Sequence, residues 1–189
     1  FPYTTLFRSL FGYYDRRKWF SYLSLASVIQ KEAATTNEMP IVSSVVHNRL
    51  KKGMKLQMDG TLNYGIYSNE VVTAERIRDD NTTYNTYKVV GLPTDPVCAV
   101  SLEAIKAAIF PVKSDYLYFV RENKTGLHKF AVTFETHQAN IKANVGVEKT
   151  YTKEKIDETQ IDAEAETIMK TDVTKQKPVS IKDLFNNIN

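Results

Sequence analysis

Between Leu25 and Leu50 the apolar residues recur at intervals of three and four, and this spacing limits the chain's folding more than any other feature. Leu25, Val28 and Ile29 fall on one face of a helical pattern running from about Asp15 to Ala34. Asn37 then offers an N-cap, and Pro40 sits in a first helical turn, where its missing N–H is tolerated. Ile41, Val42, Val45, Val46 and Leu50 continue as a second amphipathic stripe. Lys51 and Lys52 suit the negative end of that helix's dipole, and Gly53 suits the left-handed position just past it. The spacing predicts two packed helices.

The rest of the chain adds a different kind of element. Residues 54–100 read as loop-rich, with a short helix after Thr73 and another around Thr61–Tyr64. Long connections without regular structure tend to carry function. Ser101 is an N-cap for a helix through Phe110, which Pro111 ends. Tyr116–Val120 and His128–Thr133 flank Glu122–Gly126 as the arms of a β-hairpin. Thr133 then caps a last helix to about Val147. The fold class is therefore α+β over residues 15–147, with Glu32 and Arg49 in the helical lobe and the hairpin in a second lobe. Residues 1–14 show no assignable period. Residues 148–189 form a polar extension too poor in apolar groups to offset the cost of ordering it. Within it only Ile181, Leu184, Phe185 and Ile188 have the spacing of a short docking helix.

Composition removes several classes of function. The single cysteine, Cys98, excludes an internal disulfide framework or a cysteine-rich zinc module. No two of His47, His128 and His137 stand four apart, so a zinc-hydrolase pair on one helix is absent. The net charge of +3 divides into a body of +5 and a tail of −2. A mildly basic body suits an anionic polymer, either nucleic acid or cell-wall glycan, without choosing between them. No apolar run approaches the roughly 20 residues that span a bilayer, and no signal peptide is recognisable. The chain opens on Phe1 rather than Met and reads as a fragment.

Glu32 is the residue in which pattern and chemistry meet. It lies seven positions after Leu25, four after Val28 and three after Ile29, so a continuing helix carries it onto the apolar face. Desolvation and the negative helix end would both raise its pKa, as a general acid requires. The alternative is a frayed helix end with the carboxylate turned to solvent. Arg49 sits at the edge of the second stripe, either to hold an anionic group bidentately or to snorkel. Gln57 and Asp59 either line a cleft or close an Asx-turn onto Thr61. His128 and His137 read as structural histidines. Two glycosylation sequons, at Asn81 and Asn123, are too common by chance to count.

Taken together, several blocks change this balance. Leu25-Ala-Ser-Val-Ile-Gln-Lys-Glu-Ala33, Val45-Val-His-Asn-Arg-Leu50, Gly53-Met-Lys-Leu-Gln-Met-Asp-Gly-Thr61 and Tyr64-Gly65 resemble the YceG-like family, the endolytic murein transglycosylases. Tyr84-Asn-Thr-Tyr87, Gly91-Leu-Pro93, Ser101-Leu102, Tyr116-Leu-Tyr-Phe119 and His128-Lys-Phe130 with His137 follow in the family's order. The resemblance spans about Leu23 to Ile141. It implies a bacterial enzyme at the periplasmic face of the inner membrane that cuts nascent peptidoglycan strands internally. Two features depart from the family pattern. The membrane anchor and small LysM-like domain that usually precede the catalytic part are missing here, and Ala131 stands where the family usually has serine.

The resemblance places the catalytic role on Glu32, because the first acidic position of that block is Gln30 here. It implies substrate contacts from Arg49, Gln57, Asp59, Tyr84, Asn85, Tyr87 and His128. It also implies no metal or organic cofactor, and suggests a penicillin-binding glycan synthase as partner. A single carboxyl suffices for lytic chemistry. It protonates the bond between N-acetylmuramic acid and N-acetylglucosamine, then takes the proton from the muramic C6 hydroxyl, which attacks C1 and leaves a 1,6-anhydro end. The rivals are a non-catalytic glycan-binding module of the same fold and a basic nucleic-acid-binding domain. The latter lacks a recognition helix or an aromatic RNA-binding sheet.

Overall fold

Helix α1 (Arg16–Glu32) buries Leu25, Ala26, Val28 and Ile29 completely. The computed structural model describes residues 16–68 and 70–149. The expectations for the opening segment and for a docking helix near Ile181 lie outside the described residues. The apolar face of α1 packs on α4 (Leu102–Ile109), whose Ala104, Ile105, Ala108 and Ile109 meet it. Alanines on α4 let the two backbones approach, and each large side chain so buried contributes about 1.5–3 kcal/mol. Helix α2 (Met39–Lys51) lies between two clusters. Val46 and Leu50 join the α1–α4 core, while Ile41, Val42 and Val45 pack on Val112, Tyr116, Leu127 and Phe130.

The second of these clusters is the back of a hairpin. Strands β1 (Tyr118–Arg121) and β2 (His128–Ala131) pair antiparallel, with Tyr118 opposite Ala131 and Arg121 opposite His128. The arms are shorter than the sequence predicts. Tyr116 and Leu117 turn into the core instead, and Leu117 N–H still donates to Ala131 O at 3.0 Å. Helix α5 (Phe134–Asn144) follows, capped as expected by the Thr133 hydroxyl, which accepts from Thr136 N–H. It lies on the outer side of the hairpin and buries none of its own residues. The described chain is thus mostly helical with one two-stranded antiparallel sheet.

Caps set most of the remaining boundaries. Gly53 takes φ +64° just past α2, and Met54 N–H returns to Arg49 O at 2.9 Å, closing the helix as its sequence predicts. Ser101 caps α4, and Thr73 caps the short α3 (Ala74–Asp79). Between Thr61 and Tyr64 no α-helix forms; a single 3-10 turn spans Asp59–Thr61. The start of α2 also differs from expectation, because Glu38, not Asn37, holds the N-cap position. The Glu38 carboxylate is fully buried. It accepts the backbone N–H of Ala34 (3.1 Å) and His128 (2.7 Å) and pairs with His128 Nδ1 at 2.8 Å. Burial alone would raise its pKa. Its bonds to His128, together with the His128 charge and the Ala34 N–H, outweigh that and hold it below the usual carboxylate range. The α1–α2 connection is thereby fixed to β2, which keeps the end of α1 in register with the hairpin.

Candidate active site

Glu32 is the last residue of α1, where the loop before Thr61 crosses the helix end. Gly60 N–H donates to Glu32 Oε1 at 2.8 Å. The approach is so close that a Cβ on Gly60 would lie 2.7 Å from both Glu32 Oε1 and Lys31 Cβ. The loop is held there by Thr86, whose buried hydroxyl accepts from Met58 N–H (3.1 Å) and meets the Thr61 hydroxyl at 3.0 Å. Thr86 O also accepts Gln57 N–H, while Gln57 itself adopts φ +52°, in the left-handed region.

The Glu32 carboxyl faces a cleft of about 230 Å³. Arg49, Leu56, Gln57, Met58 and Tyr87 line it, together with Tyr118 and Phe119 of β1 and Phe134 and His137 of α5. Desolvation raises the Glu32 pKa from 4.5 to about 7, and the negative charge of Asp59 adds to the effect. The Gly60 N–H and the charges of Arg49 and Arg121 oppose it without cancelling it. Near neutral pH this carboxyl is therefore present in both protonation states, as one group serving as acid and then as base requires.

Arg49 is buried, and three backbone carbonyls hold it: Nε donates to Leu117 O and Nη1 to Leu56 O, each at 2.6 Å, and Nη1 also reaches Lys55 O at 3.3 Å. Its guanidinium lies 5.2 Å from the Tyr118 ring centre. Tyr87 donates its hydroxyl to Asp59 Oδ1 at 2.6 Å, and burial and Asp59 push its pKa well above the ordinary value, so it stays a neutral donor. Asp59 thus engages Tyr87, whereas Thr61 closes its own turn onto Met58 O.

Glu32, Arg49, Gln57 and Tyr87 therefore share one cleft, with Asp59 bonded to its rim. Three residues named from the sequence lie elsewhere. Tyr84 stacks on Tyr64 with ring centres 4.3 Å apart and bonds Asp95. Asn85 is buried and ties its loop together through Ile77 O and Asp80 O. His128 is buried in its pair with Glu38. Gln30 is also committed, its Oε1 accepting Ser101 N–H at 3.0 Å and so fixing α1 to the start of α4. Sequence reasoning missed Tyr118, Phe134 and His137 as cleft residues. The signal available was the i, i+3 spacing of Phe134 and His137, which sets both on one face of an otherwise polar helix. Among the described residues no group of three or more His, Cys, Asp or Glu is placed to hold a metal ion.

The family described as YceG-like matches residues 15–143. Endolytic murein transglycosylase of Streptococcus pneumoniae is 36% identical over 128 residues, covering 65% of this chain and 23% of that protein. The protein of the same name from Bacillus subtilis is 35% identical over 115 residues, covering 61% of this chain and 32% of the relative. The alignments thus span about a quarter to a third of the length of these relatives. A crystal structure of a yceG-like protein from Listeria monocytogenes is similar with a TM-score of 0.59 at 38% identity, covering 62% of this chain and 38% of that one.

Proposed function

The chain belongs to the YceG-like family, and from that premise we propose that it cleaves peptidoglycan glycan strands internally by lytic transglycosylation, with Glu32 as the single acid–base group. The observation that carries this reading is the Glu32 carboxyl, desolvated at the cleft and poised near pH 7. Protonated Glu32 gives its proton to the oxygen linking N-acetylmuramic acid to N-acetylglucosamine. The resulting carboxylate then takes the proton of the muramic C6 hydroxyl as that oxygen attacks C1. One C–O bond breaks, one forms within the same sugar, and Glu32 ends as it began.

An ordinary glycosidase needs a second carboxyl to act as nucleophile or to activate water. Here the nucleophile belongs to the substrate, and its proximity replaces that group. Arg49, Gln57 and Tyr87 hold the strand as hydrogen-bonding partners, with Asp59 beside them at the rim. The site of action is the periplasmic face of the inner membrane. The partner is a glycan-polymerising penicillin-binding synthase, which supplies nascent strands. Among the described residues no helix is long and apolar enough to cross a membrane.

Purified sacculi test this reading against a glycan-binding module without activity. The enzyme releases soluble fragments ending in 1,6-anhydro-muramic acid; a binding module pulls down with the sacculi and releases none. The pH dependence offers a finer test. Because the first step needs protonated Glu32, kcat/KM is expected to fall as pH rises through about 7. Asp59 helps to raise that pKa, so Asp59→Asn should move the alkaline limb to lower pH. A limb that stays in place on this substitution would show that the titrating group is not Glu32 beside Asp59.

A further inference from the structure

We propose that Tyr118, Phe134 and His137 form a sugar-binding surface in the cleft that Glu32 also lines, with the Phe134 ring stacking on an N-acetylated pyranose and His137 Nδ1 hydrogen-bonding its acetamido group. The inference deepens the transglycosylase reading and rests on it. The geometry behind it is an aromatic cluster at the cleft. Tyr118 and His137 stack with centres 5.2 Å apart and planes 22° from parallel, and the Phe134 ring lies 5.8 Å from Tyr118. Phe134 is 51% exposed although it is a large apolar side chain on a helix that buries nothing. A ring left in that position gains little for the fold and is available to a ligand.

A second observation concerns a polar atom. His137 Nδ1 is buried with no hydrogen-bond partner among the described residues, and its ring lines the cleft. A desolvated nitrogen without a partner is costly, and a ligand that supplies one removes the cost. Burial and the nearby Arg49 charge hold the His137 pKa below its ordinary value, which keeps the ring neutral beside the guanidinium. A neutral imidazole beside the exposed Phe134 ring matches a group that is part amide and part methyl. The acetamido substituent has that composition, whereas a plain hydroxyl lacks the apolar half.

Binding is measured with N-acetylglucosamine oligomers and with glucose oligomers of equal length, using the full chain carrying Glu32→Gln so that nothing turns over. The parent should prefer the acetylated oligomer. Phe134→Ala should weaken binding of both oligomers about tenfold, and Phe134→Trp should restore it. The residue is half exposed, so truncation should spare the fold. His137→Phe keeps a ring for stacking but removes the nitrogen, so it should cost about threefold to tenfold on the acetylated oligomer alone and erase the preference. With Glu32 intact, the same substitutions should raise KM on glycan strands and leave kcat nearly unchanged. Wild-type-like binding in both Phe134→Ala and His137→Phe would overturn the sugar-binding surface while leaving cleavage by Glu32 standing. A parent that binds neither oligomer, with a wild type that releases nothing from sacculi, would overturn both.

Discussion

Glu32→Gln is expected to abolish glycan cleavage and leave the fold unchanged. The amide is nearly isosteric and can still accept Gly60 N–H through its oxygen, so the loop should stay in place. It can neither give the glycosidic oxygen a proton nor remove one from the C6 hydroxyl. General acid–base assistance is typically worth about 10² to 10⁴ in rate. In the proposed mechanism one group serves both steps, so the loss should reach or exceed the upper end of that range. Rates of fragment release from sacculi, with a thermal melt as the fold control, measure it. Gln30→Ala should cost far less activity, since its amide holds Ser101 N–H and takes no part in proton transfer. A Glu32→Gln protein that cleaves at near wild-type rate would move the acid role to another carboxyl, and Asp59 would be tested first.

Gly60→Ala should produce the next largest loss. The new methyl would lie 2.7 Å from Glu32 Oε1 and equally close to Lys31 Cβ. Lys31 Cβ is fixed by the backbone of α1, so the loop or the carboxyl must move. Displacing a reacting group by about 1 Å can cost about 10² in rate. Overpacking of this kind also costs about 1–3 kcal/mol in stability. Activity should therefore fall about a hundredfold while the protein still folds, with a lower melting temperature. Unchanged activity would mean that the backbone of residues 59–61 does not set the position of the Glu32 carboxyl.

The parts of this molecule that were legible in the sequence are those governed by local chemistry. The apolar stripes of α1 and α2, the Ser101, Thr73 and Thr133 caps and the Gly53 terminator each depend on residues within one turn of themselves. The displaced N-cap of α2 depends on something else. Glu38 takes that position because its carboxylate is held by His128, ninety positions along the chain, and no local pattern records such a contact. The first hairpin strand is short for a similar reason, since Tyr116 fills a core that α2 creates.

The site divides along the same line. Placing Glu32 on a buried face needed only the period of α1, and the cleft agrees with that placement. That a glycine twenty-eight positions later would donate to it is a tertiary fact. Tyr84 and Asn85 share a polar, aromatic loop with Tyr87, yet only Tyr87 reaches the cleft; the other two stack on Tyr64 or hold the loop's own carbonyls. Composition cannot separate residues that shape a loop from residues that such a loop presents. His128 and His137 looked alike in sequence. Their difference comes from depth: one is buried against Glu38, while the other lines the cleft beside Tyr118.

In the proposed mechanism one carboxyl suffices because the substrate supplies its own nucleophile. Cleavage of glycan strands in oxygen-labelled water, followed by mass analysis of the newly formed muramic ends, tests it directly. The expected products are anhydro ends that carry no label from the solvent and are lighter by one water than hydrolysed ends. Reducing ends that each carry one labelled oxygen would contradict it, since water and not the C6 hydroxyl would then have attacked C1.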